Sequence, residues 1–270
     1  MSNNFSRLKI QISILTIILV FVFIFPYFYE KSPYTQNLSE TLSTPSKTHP
    51  LGTDIYGRDL LARLARATGN TLKVAALAAF MSVFLGTTFG LLSGFTSKMF
   101  DEIIMRIVDM LLGFPKLVII LLLSSIFWGK VYIVFLFISF FSWVDTARVI
   151  RSEVKIIKEK LFYKAVLSLG LNRIKILMNY IFPLIRGKIL VSFTLNLATF
   201  ILVEVSLSFL GLGFQSPEAS LGTLLRQTLI DPVNTFWITI FTGITILLIN
   251  ISLSQISDNL EEEIGGFIQR

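Results

Sequence analysis

The residues best equipped for chemistry lie close together, in the stretch HPLGTDIYGRD from His49 to Asp59. An imidazole near two carboxylates, Asp54 and Asp59, is the raw material of a general base or a metal site. As metal ligands, however, these three make an incomplete set, and His49 is the only histidine in a chain without cysteine. Thiol catalysis, thiolate metal sites and disulfides are therefore excluded. No H-E-x-x-H or G-x-S-x-G occurs, and both Gly-Lys pairs, at 129–130 and 187–188, lack the flanking residues of a phosphate-binding P-loop. Asp109 and Asp145 would be the carboxylates of an intramembrane aspartyl protease, but no G-x-G-D is present; residues 211–214 read GLGF. No catalytic residue and no metal site is assigned. His49, Gly52, Asp54, Gly57, Arg58 and Asp59 read instead as a folded turn, leading into an interfacial helix at 59–68.

The elements that must position this turn are apolar. The chain has 270 residues, 53% apolar and 15% charged, with a mean hydropathy of +0.73. A spanning helix needs roughly 20 mostly apolar residues. Six such stretches can be drawn: Ile10–Phe28, Leu72–Phe95, Ile103–Trp128, Val131–Ile150, Ile189–Leu210 and Phe236–Leu253. The third is interrupted by GFPK at 113–116. The basic residues flank these spans and form no single solvated face, which argues against nucleic acid as a partner. The expectation is an all-α membrane protein.

Orientation follows from the segment 151–188. It carries Arg151, Lys155, Lys158, Lys160, Lys164, Arg173, Lys175, Arg186 and Lys188 against Glu153 and Glu159 alone. Cationic loops stay on the cytoplasmic side. Six spans then put both termini inside, in keeping with Arg7 and Lys9, and put 30–71 and 211–235 outside.

Within the spans, Gly86, Gly90 and Gly94 form a stripe that lets another backbone approach, with intrachain packing the expected use. Arg106 and Asp109 are one turn apart and are expected to neutralise each other. Lys73 and Lys116 can snorkel to an interface. Glu204 lies deep in the fifth span with no basic neighbour within a turn. It must face a cavity, find a partner on another helix, or be protonated. Glu204 and Asn196 are candidates for a translocation path or gate, with structural hydrogen bonding the equal alternative for Glu204. In the basic segment Val154, Ile157, Leu161 and Ala165 recur at helical spacing. Gly170 reads as a helix stop, a second short helix follows, and Pro183 should break the chain. Such a helix would lie on anionic lipid or dock on a cytoplasmic partner.

Four stretches then carry a family resemblance. HPLGTDIYGRDLLARL, WVDTARVIRSEV at 143–154, SFLGLG at 208–213 and QSPEASLG at 215–222 resemble segments of the second permease subunit of bacterial ABC importers for dipeptides, oligopeptides and nickel. Leu221 stands where that family usually has tryptophan. The likeness spans nearly the full length. It implies a bacterial cytoplasmic-membrane protein with an N-terminal span and extracytoplasmic segment at 1–70 and a five-span permease domain at 71–270. It implies a second permease subunit, two ATP-binding subunits and an extracytoplasmic solute-binding protein as partners. ATP would be used by those subunits, with no cofactor in this chain. The family's E-A-A-x-x-x-G coupling motif, with proline 13 residues on, falls on Lys164, Ala165, Val166, Gly170 and Pro183, where Lys164 replaces the glutamate and Val166 the second alanine. The implied substrate is a peptide, nickel or a metal chelate. The rival is an ion-gradient-driven transporter or channel.

Overall fold

The computed structural model describes the backbone of residues 2–268 and the side chains of residues 8–262. Arg7 and the chain ends, used above for orientation, lie outside the described side chains. Among the described residues the regular structure is helical, with one isolated bridge between Thr53 and Asp59.

The helices are α1 (Ser2–Phe23), α2 (Phe25–Phe28), α3 (Leu60–Phe95), α4 (Lys98–Leu112), α5 (Lys116–Ile126), α6 (Val131–Glu159), α7 (Leu161–Ser168), α8 (Arg173–Ile176), α9 (Phe182–Phe209), α10 (Leu221–Gln227) and α11 (Phe236–Ile268). Among the described residues four units are long and apolar enough to cross a membrane: α3, α6, the continuous stretch Arg173–Phe209 and α11. The α4–α5 pair makes a fifth if it is one bent span. Its 74° bend falls at Gly113–Pro115, because proline lacks the N–H of a continuing helix and disfavours helical backbone just before it.

The first expected span ends earlier than drawn, at Phe23 and not at Phe28. The helix α1 runs to Phe23 and breaks at Ile24. Pro26 cannot donate to the carbonyl four residues back, so the α1 ladder stops and the single turn of α2 follows.

At the centre, α3 lies along α6, and glycine is the reason they can approach. A Cβ on Gly86 would sit 2.7 Å from the Trp143 carbonyl oxygen, one on Gly90 2.7 Å from that of Ala147, and one on Gly94 2.8 Å from Val154 Cβ. The stripe is an intrachain seam. α9 packs on α3, α10 and α11, and α1 lies on α11. The main core joins Leu64, Val74, Phe135, Ile201 and Ile238; a second cluster, around Ile150, Val154, Tyr163, Val166 and Ile185, closes the far end of α3.

Several expectations need correction. Residues 59–68 do not form a separate interfacial helix: Asp59 caps α3, its carboxylate accepting the Ala62 N–H at 2.9 Å, and the helix runs unbroken to Phe95. The boundary at 70/71 therefore falls inside a helix. Val154, Ile157, Leu161 and Ala165 do not share one helix, because the chain is extended at Lys160; Val154 and Ile157 are buried, Leu161 and Ala165 exposed. Pro183 does not break the chain. A π-helical turn, Leu177–Ile181, joins α8 to α9, and the wider turn just before Pro183 lets the helix run on past a residue that lacks an N–H.

Candidate functional site

The richest polar structure is built where the 30–59 loop meets the start of α3. Gly52 and Gly57 have φ of +81° and +68°, turns that side chains with a Cβ strain to make. A Cβ on Gly57 would overlap the Asn37 carbonyl. These turns place Asp54, fully buried, under two arginines. Its carboxylate accepts from Arg58 Nε at 2.7 Å and from the Tyr56 and Arg58 N–H groups at 2.9 and 3.0 Å. Arg63 Nε lies 3.1 Å away but is not aligned to donate, so that contact is charge pairing; Arg63 Nη1 donates to the Pro33 carbonyl at 2.9 Å.

Asp59 forms the second knot. Beyond capping α3, it accepts from the Tyr29 hydroxyl at 3.0 Å, lies 2.9 Å from His49 Nδ1 and 3.7 Å from Lys31 Nζ. Burial, then the hydrogen bond to Asp59, pushes the Tyr29 phenol well above the ordinary range. His49 Nε2 lies 3.4 Å from Glu40. Among the described residues no group of three or more His, Cys, Asp or Glu is arranged to hold a metal.

Behind these knots the segment 211–221 folds back onto α3 and α9. Glu204 on α9, with no solvent exposure, accepts from Thr71 Oγ1 on α3 at 2.5 Å and from Ser208 Oγ at 2.6 Å. Each hydroxyl also accepts a backbone N–H of the returning segment: Leu221 on Thr71 at 3.2 Å, Phe214 on Ser208 at 3.0 Å. The carboxyl group thus sits at the centre of a network joining two helices and a loop. A Cβ on Gly213 would collide with Ser208, and one on Gly222 with the Val205 carbonyl oxygen 2.2 Å away. Glu218 accepts from Tyr34 at 3.0 Å, Arg66 at 3.3 Å and Asn70 at 2.8 Å, tying the first loop to the last. Burial raises the Glu218 pKa, but the donors from Arg66, Asn70 and Tyr34 outweigh it and leave it below the ordinary value.

Asn196 is elsewhere, on the α9 face toward α6. It donates to the Ser192 carbonyl at 2.8 Å and to Thr146 Oγ1 at 3.3 Å.

At the opposite end of α3, Asp101 on α4 gathers Arg151 and Lys155 of α6, each at 2.7 Å or closer, and Ser93 of α3. Asp109 pairs with Arg148 of α6 and not with Arg106, because α6 brings the guanidinium across; Lys116 pairs with Asp145 at 2.5 Å. Here α7 turns Tyr163 and Val166 into the second core cluster and leaves Lys164, Ala165 and Leu167 exposed. Gly170 has φ +66° and no atom within 4 Å of an added Cβ, so it ends α7 by backbone geometry alone. Leu161, Leu169 and Ile174 are also largely exposed, an apolar surface within the basic segment 151–188.

The structure therefore gathers His49, Gly52, Asp54, Gly57, Arg58 and Asp59 into one assembly, sets Glu204 farther along α3 against Thr71, and separates both from Lys164, Ala165, Val166, Gly170 and Pro183. Sequence reasoning missed Thr71, Ser208, Glu218 and Asp101. The readable signal was polar residues at one-turn spacing in otherwise apolar helices, as in Arg66, Asn70 and Lys73.

Residues 86–265 match the family described as the binding-protein-dependent transport system inner membrane component. The oligopeptide transport system permease protein OppC of Haemophilus influenzae is 32% identical over 88% of this chain and 76% of its own length. The OppC protein of Bacillus subtilis is 30% identical over 91% and 80%. The glutathione transport system permease protein GsiD of Pectobacterium atrosepticum is 31% identical over 81% and 72%. An inward-facing structure of the MetNI methionine ABC transporter shares the fold, with a TM-score of 0.53 and 16% identity over 73% of this chain and 95% of that one.

Proposed function

The chain belongs to the binding-protein-dependent transport inner-membrane component family, and on that premise we propose that it is one permease subunit of an ATP-driven importer of peptides. It would supply half of a translocation path and perform no covalent chemistry. A second permease, two ATP-binding subunits and a solute-binding protein would complete the assembly, with ATP spent outside this chain.

One observation carries the reading beyond family membership. α7 is anchored by Tyr163 and Val166, while Lys164, Ala165 and the exposed leucines face away from the body. A short helix held rigidly on one side and bare on the other can take up motion from a docked partner and pass it to α6 and α9. That supports Lys164–Gly170 as the contact with the ATPase, the basic end as cytoplasmic, and the 30–59 and 211–221 assembly as the outer, binding-protein face. In this arrangement α1 would be a sixth crossing, completed by α2 and Tyr27–Tyr29 at the interface.

The peptide assignment follows the names of the relatives reported above, which are oligopeptide and glutathione permeases; the nickel and metal-chelate readings gain no specific support from them. Uptake of labelled oligopeptides and of labelled nickel should be compared in a strain deleted for this chain and complemented with it. Restored peptide uptake alone supports the proposal. Restored nickel uptake alone, or transport by this chain alone that resists vanadate, would overturn it.

A further inference from the structure

A cavity of about 260 Å³ opens between the α1–α2 break and the first turns of α3. Its α1 side is apolar and aromatic, with Phe23, Phe25, Pro26 and Tyr27; its α3 side is cationic, with Arg66 and Lys73, and Lys31 also lines it. The lining contains no carboxylate.

The three cations are not equivalent. Lys31 has Asp59 at 3.7 Å and Arg66 has Glu218 at 3.3 Å. Lys73 has no acidic partner among the described residues; its ammonium stands 5.9 Å from the Phe23 ring. Its depth is informative. Residues 74–95 of α3 contain no charged residue, a run of 22 positions, or ~33 Å of helix against a hydrocarbon core of ~30 Å. Lys73 is therefore the last charge before the hydrocarbon, at the level where phosphate groups lie. The cavity forms because Pro26 stops α1 and Gly69 lets Val22 close to 3.0 Å of an added Cβ, leaving a hollow beside Lys73.

We propose that this cavity binds an anionic phospholipid, with Lys73 holding the phosphate and the α1–α3 groove taking the upper acyl chain. An unpaired ammonium at headgroup level calls for an anion, and the apolar wall calls for a tail on that anion. A free anion would leave the aromatic wall uncovered. The site is separate from α7 and does not depend on which substrate is carried.

Native mass spectrometry of the assembled complex, extracted in mild detergent and re-lipidated, tests this. Phosphatidylglycerol adducts should be retained at least about fivefold better than phosphatidylethanolamine adducts. They should fall by a similar factor in Lys73→Gln, and persist in Lys73→Arg and in Lys130→Gln, a lysine outside the lining. Equal retention of the two lipids by the unmodified complex would overturn the site, a result independent of whether any variant assembles. Equal loss in Lys73→Gln and Lys130→Gln would also overturn it. So would displacement of the lipid by inorganic phosphate, or by a short peptide in a Lys73-dependent way, the latter assigning the cavity to a peptide carboxylate.

Discussion

Thr71 and Glu204, 133 positions apart, are joined by a 2.5 Å hydrogen bond in an environment without water contact. The same threonine hydroxyl accepts the Leu221 N–H, so one side chain ties α3, α9 and the start of α10. Thr71→Val keeps the shape and removes both bonds. It should cost about 1–3 kcal/mol for each group left unpaired, read as a lower thermal midpoint of the purified complex, while Thr71→Ser stays near the unmodified protein. Matching midpoints for the Val and Ser variants would show that Glu204 does not rely on this network.

Asp54 holds Arg58 and Arg63 in a buried, excess-cationic knot. Asp54→Asn should be among the most damaging single changes in the 30–59 loop, on the order of 3–5 kcal/mol, because two guanidinium groups lose their counter-charge. The yield of folded protein in membranes measures it. Intact yield and uptake after Asp54→Ala together with Arg58→Ala would remove the loop from any role in the transporter.

At Gly170 the obstacle to substitution is conformation, since a Cβ meets nothing within 4 Å. Non-glycine residues pay roughly 1–2 kcal/mol for left-handed backbone, asparagine less. Gly170→Asn should keep uptake and substrate-stimulated ATP hydrolysis, whereas Gly170→Trp should abolish both with insertion unchanged. Normal transport by the tryptophan variant would sink the coupling assignment.

Two glycines in long helices should behave oppositely. Gly90→Leu drives a side chain into Ala147 and Ile150 of α6 and should prevent assembly; Gly243→Ala, with no atom within 4 Å, should be neutral or stabilising by up to ~1 kcal/mol. Pulse-labelled protein turnover in membranes distinguishes them.

Glu218 has a lowered folded pKa, so its contribution is fully present above the unfolded carboxylate value of ~4.3 and is lost as pH falls through the lower folded value. The difference in midpoint between the unmodified protein and Glu218→Gln should therefore hold from pH 7 to about 5 and shrink only below ~4. A difference that vanished already near pH 6 would contradict the hydrogen-bond set described. The effect is modest, since Glu218 and Arg66 are both partly solvated.

Much of this was legible in the chain itself. The α3–α6 seam was announced by Gly86, Gly90 and Gly94, because a missing side chain on every fourth residue has few other uses. The bend at Gly113–Pro115 was announced by proline, and the α7 stop by Gly170. The Arg106–Asp109 pair was misread because spacing along one helix says nothing about a neighbour: α6 carries Arg148 past Asp109 at closer range.

The sequence by itself determined the medium, the approximate spans and the family, since these rest on local composition and on linear motifs that hydrophobic burial and backbone stereochemistry impose residue by residue. Only the tertiary structure decided that His49 and Asp59 serve as a cap and clasp, that Glu204 is satisfied by two hydroxyls from different elements, and that Lys73 is left beside a cavity without a counter-charge. Those outcomes depend on which side chains distant helices bring within ~3 Å of one another, a distance that depends on packing and that no sequence spacing encodes.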